Sequence, residues 1–155
     1  MKRMGKGRAC LLGVLLLGLA SLTAQADDLV MVRSAQDFPE TMLALQEAIK
    51  AEGYQIARVQ RVDIGLTRRG FKTDKYRVVF FGRNEEISRL IRQQPELAPY
   101  LPLKISIFAE GSETLVVTMN PLILAELYPD SPAKPVFRRW AQDVQRILRR
   151  IRVSQ

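Results

Sequence analysis

Asp63 and Arg77 are the two residues whose types and positions come nearest to a chemical site. Asp63 closes the strand-like run YQIARVQRVD (54–63) and has Arg58, Arg61, Arg68 and Arg69 around it in sequence. A carboxylate among guanidiniums could hold a cationic group or act as a base; the same pattern also makes an ordinary salt bridge or turn cap. Arg77 stands inside the apolar strand KYRVVFFG (75–82). A charge in such a strand needs a partner, either a carboxylate such as Asp63 or an anionic ligand. Both are therefore candidate ligand-binding residues.

Around them, other chemistry is scarce. Residues 27–155 contain no Cys and no His. That excludes a disulfide framework, zinc sites built on Cys or His, a cysteine nucleophile and a Ser-His-Asp triad there. Tyr54, Tyr76, Tyr100 and Tyr128 remain as hydrogen-bonding groups. Met31, Met42 and Met119 remain as soft ligands, but nothing in their spacing brings them together, and methionine commonly fills cores. No catalytic residue, metal or cofactor is expected from this set.

The first 26 residues read as an export signal. Lys2, Arg3, Lys6 and Arg8 precede an apolar run from Leu11 to Leu22, and Ala24-Gln25-Ala26 supplies small residues for cleavage. The run is short for a spanning helix. The expected product is a periplasmic or secreted single domain, 27–155. Four of the chain's 24 Lys and Arg lie in the leader and none of its 16 Asp and Glu, so cleavage takes the formal charge from +8 to +4. That modest excess, on an exported chain, argues against a nucleic-acid partner.

The elements that must position Asp63 and Arg77 can be read from pattern. Leu29–Arg33 is strand-like. Asp37, with Glu40 three residues on, is set to cap a helix over Phe38, Met42, Leu45 and Ile49, and Gly53 stands at its end. IGLTRRGFKTD reads as a loop. KYRVVFFG, apolar on both sides at its centre, reads as an interior strand covered on both faces. Asn84 is placed to cap a second helix with Glu85 and Glu86 in its first turn, and Pro95 to end it. LKISIFA and ETLVVTM form a hairpin around Glu110-Gly111-Ser112, and Leu122–Tyr128 a short helical turn.

The chain closes with FRRWAQDVQRILRRIRVSQ. Phe137, Trp140, Ala141, Val144, Ile147, Leu148 and Ile151 recur at steps of three and four, the stripe of a helix laid on a core. Arg138, Arg139, Arg146, Arg149 and Arg150 are left for the outside. They are candidate contacts to a membrane surface or another polyanion. The whole reads as an α+β domain, an antiparallel sheet covered by helices in β-α-β-β-α-β-β-α order with a long amphipathic C-terminal helix.

Particular stretches sharpen this. GYQI with RVD, then KYRVVFFG, PELAPYLPLKISIF and ETLVVTMNP, resemble the family named domain of unknown function 302. The likeness runs from about Val30 to Pro121, and Leu101-Pro102 and Asn120-Pro121 carry most of it. The resemblance implies a compact α+β domain related in shape to the TATA-binding-protein-like fold without its DNA recognition. It also implies dimers, and no established catalytic set. This chain departs from many relatives: Gly82-Arg83-Asn84 stands where they have glycine-asparagine-proline, and Ile64 follows Asp63 where exported relatives often have histidine.

The expected function is an exported, non-catalytic ligand-binding or protein-interaction domain that self-associates as a homodimer. Its partner is an unidentified small molecule or protein, held between the sheet and the last helix with Arg77 or Asp63 as polar contacts. The alternatives are a small periplasmic enzyme using carboxylate, arginine and tyrosine chemistry, or a protein in peripheral membrane contact through its basic C-terminal helix.

Overall fold

The computed structural model describes residues 28–153, so the expected leader lies outside the described residues. Strand β1 (Leu29–Ser34) alternates, with Val30, Val32 and Ser34 turned inward and Leu29 and Met31 exposed. Helix α1 (Phe38–Ala51) starts as expected: the Asp37 side chain accepts the Glu40 N–H at 3.0 Å. Gly53, at φ 77°, reverses the chain after α1, a left-handed turn that favours glycine.

Strands β2 (Gln55–Arg61), β3 (Tyr76–Gly82), β4 (Leu103–Glu110) and β5 (Glu113–Met119) join β1 in one antiparallel sheet ordered β1-β5-β4-β3-β2. Glu110 and Glu113 face each other across a two-residue turn, with Gly111 at φ 63°. The C-terminal helix, α5 (Lys134–Val153), and α1 pack on one face of the sheet. Leu45 and Ile49 of α1, Phe137, Trp140 and Ile147 of α5, and Val79, Phe81, Ile105, Ile107 and Val116 of the sheet form a closed core. All seven residues of the α5 stripe are buried, so the 3.6-residue period did specify the helix and its inner side.

Three expectations need correction. The segment read as a loop after Asp63 begins with a short helix, α2 (Val62–Thr67); none of its residues is buried, so it leaves no apolar period to read. Asn84 does not cap. Arg83 holds the cap position without a side-chain bond, and Asn84 is the first residue of α3 (Asn84–Gln93). Arg83 instead reaches back to the end of α1, donating to the Glu52 carbonyl at 2.9 Å and lying 4.5 Å over the Tyr54 ring.

The third correction concerns β3. It is interior by hydrogen bonding, but only its Val79–Phe81 side is buried, whereas Tyr76, Val78 and Phe80 stay half-buried on the other. These outer side chains line up with Ser106 and Phe108 of β4 and with Leu115 and Val117 of β5. None of the seven belongs to the main core. The outer face is an apolar ladder that no helix covers among the described residues, with Tyr76 and Phe108 rings edge to face at 5.8 Å. A 3-10 turn at Pro95–Tyr100 and a cis Leu101-Pro102 bond lead from α3 into β4, and helix α4 (Ile123–Leu127) leads from β5 into α5.

Candidate functional site

Arg77 and Asp63 do meet. Arg77 lies at the outer end of β3 opposite Arg61, and the α2 turn folds Asp63 back over it. The guanidinium donates to Asp63 Oδ1 and to the Tyr76 carbonyl at 2.9 Å, and it sits 5.6 Å from the Phe38 ring centre. The two side chains are only 14% and 16% exposed. The hydrogen bond from Arg77 holds the Asp63 carboxyl below the usual carboxylate range. A general base tuned for neutral pH needs the opposite shift. Asp63 also lines a shallow groove of about 470 Å³ with Thr67, Arg68, Thr73 and Lys75, in which its charge is already answered.

The space expected between the sheet and the last helix is filled. Trp140, Phe137, Ile147, Val79, Phe81, Ile105 and Ile107 occupy it, each no more than 2% exposed. The tyrosines disperse. Tyr54 is buried beneath α5, Tyr76 lies on the open face, and Tyr100 and Tyr128 pair edge to face at 6.1 Å. Met42 and Met119 pack against the core while Met31 is exposed on β1.

The arginines of α5 divide into two sets. Arg139 pairs with Glu86 of α3; Arg146 pairs with Asp143 and, at 2.8 Å, with Glu52; Arg150 reaches Glu52 at 3.3 Å. Asp143 is the hub. It is 2% exposed, accepts the Tyr54 hydroxyl, and has Arg83 and Arg139 nitrogens at 3.9 Å. Burial, reinforced by that bond to Asp143, pushes the Tyr54 hydroxyl well above its usual pKa. Glu86, also buried, accepts the Trp140 indole N–H at 2.9 Å. This cluster ties α5 to the end of α1 and to α3.

Arg138 and Arg149 point elsewhere. With Gln142 and Gln145 they line a groove of about 570 Å³ between α5 and the chain after β5, floored by Leu122 and Ala141. Both guanidiniums are exposed. Asp143 and Glu86 were missed in sequence although a signal existed. Asp143 lies three residues after Trp140 and four before Ile147, and Glu86 four before Leu90, so both fall on inward stripes.

Two layers, helices on one face of a five-stranded antiparallel sheet, define an α+β domain whose other sheet face no helix covers among the described residues. The family model for the domain of unknown function DUF302 matches residues 30–152, and the chain belongs to that family. Among solved structures it is similar to an uncharacterized conserved DUF302 protein from Bacillus stearothermophilus. The TM-score is 0.74 at 20% identity, covering 82% of this chain and 100% of that one. At that identity the likeness establishes the fold. No curated protein matches the chain.

Proposed function

We propose that this chain is an exported, non-catalytic interaction domain that works as a pair of copies stacked through their open sheet faces. The observation that carries this is the outer face itself. Half-buried Tyr76, Val78, Phe80, Phe108 and Val117 form one apolar field around the buried Leu115, with Met31 exposed at its margin. Five strands about 4.8 Å apart give a face on the order of 500 Å² per copy. Two copies would bury about 1,000 Å², the lower bound for a specific interface.

Charge favours a second copy over an unrelated partner. Along the outer side of β4, Lys104 stands at one end and Glu110 at the other. Arg58, across Phe80 from Lys104, adds to the basic end. Glu110 and Glu113 share the Arg33 guanidinium at the acidic end. A two-fold axis across the strands between Ser106 and Phe108 sets Lys104 of each copy over Glu110 of the other. Stacked sheets tolerate such packing at about 10 Å separation.

Sedimentation equilibrium tests it. The chain from residue 27 is expected to dimerise at micromolar concentration, and Val117→Lys to leave monomers. Lys104→Glu is expected to weaken the pair and the double swap K104E/E110K to restore it. A monomer at all concentrations, or a double swap no better than the single, refutes the second copy and leaves the face to a different protein.

A further inference from the structure

We infer that the groove on the outer side of α5 is a binding site for an extended, soluble polyanion bearing phosphate or carboxylate groups. The site lies on the helix layer, away from the open sheet face, and does not depend on pairing. Its lining supplies cations and amides: Arg138, Arg146 and Arg149 with Gln142, Gln145 and Asn120, and no carboxylate. Arg146 already pairs with Glu52 and Asp143. Arg138 and Arg149 have no hydrogen bond or ion pair among the described residues, whereas Arg139, Arg146 and Arg150 on the same helix all do.

The spacing sets the shape of the ligand. Arg138, Gln142, Gln145 and Arg149 follow one another at four, three and four residues, a single stripe along the helix. At 1.5 Å per residue the two arginines stand about 16 Å apart. One small anion cannot bridge them; a chain with charges at intervals can. Guanidinium forks suit phosphate and carboxylate oxygens, and the glutamine amides between them can donate to the intervening groups. Leu122 and Ala141 give the floor no competing charge. The volume of about 570 Å³ falls within the usual range for ligand sites.

Isothermal titration of the chain from residue 27 with a linear inorganic polyphosphate of about six units, long enough for the 16 Å span, tests this against orthophosphate. The chain should bind at least about a hundredfold more tightly than the single ion, because its second contact is intramolecular. Arg138→Gln and Arg149→Gln should each weaken it about tenfold. Arg89→Gln, which removes an exposed charge from α3, should leave it unchanged. Thermal unfolding of both groove variants should match the parent, since neither guanidinium has a partner to lose. No preference for the chain over orthophosphate, or an equal loss in R89Q, refutes the site. Binding to phosphatidylglycerol vesicles without binding to polyphosphate also refutes it, and assigns the arginines to a membrane surface.

Discussion

On one side of α5, Arg139, Arg146 and Arg150 meet Glu86, Asp143 and Glu52; on the other, Arg138 and Arg149 open onto a groove without a carboxylate. The residue type and the helix are the same. What differs is the neighbour. On the paired side α5 abuts the end of α1 and α3, both of which bring acids, and the arginines become part of the fold. On the groove side it faces Asn120 and Leu122, and their charge stays available. A count of arginines on a helix therefore says little about binding until each has been matched to its acid.

Removing acids and arginines in turn tests whether the two sides of α5 differ. Asp143→Ala should have the largest effect, about 2–3 kcal/mol in denaturant unfolding, because it strips the Tyr54 hydroxyl and two guanidiniums of a buried acceptor. Glu86→Ala should cost about 1–2 kcal/mol, through the orphaned Trp140 N–H and the lost pair with Arg139. Glu52→Gln should cost less again, since Arg146 and Arg150 are half in water. Arg138→Gln should leave the unfolding midpoint in place. If it destabilises as much as Glu86→Ala, the two sides of α5 are not different in kind.

Asp63 gives the smallest and cleanest test, by pH. Its folded carboxyl is held below the unfolded value near 4 by the bond from Arg77. Its stabilisation is therefore complete above that unfolded value and is lost as pH falls through the folded one. Replacing Arg77 by Gln should raise the Asp63 midpoint toward the ordinary carboxylate value in a side-chain carboxyl NMR titration. An unmoved midpoint would mean that the pair does not hold the charge.

Sequence pattern was most legible where one period governed a long segment. The Asp37 cap, the β4–β5 hairpin and the α5 stripe could all be read because each is a local rule of spacing or turn chemistry. It was least legible where a neighbour distant in sequence decides the outcome. Arg83 caps α1 because Gly53 delivers the helix end to it, and α2 forms without burying any residue. Val78 and Phe80 look like core in sequence, but the apolar surface across from them is absent within the described residues. Of the site, the Asp63–Arg77 meeting was legible because a charge inside an apolar strand demands a partner. The partition of the α5 arginines was not, because besides Asp143 on the same helix it depends on Glu86 and Glu52, more than fifty residues earlier.

The outer strand β2 has one more consequence. It carries no buried residue, places Arg58 and Arg61 along what is a sheet edge among the described residues, and slips register between Ile56 and Arg58. A flat, uncharged edge would invite the next sheet to add on, and the next after that, without limit. This one is kinked and cationic, so hydrogen-bonded growth sideways is discouraged. The proposed stacking through the outer face, by contrast, would use up that face in a single step. At the β2 edge, the irregularity at Ile56 thus works against the open-ended strand addition that would build a fibre.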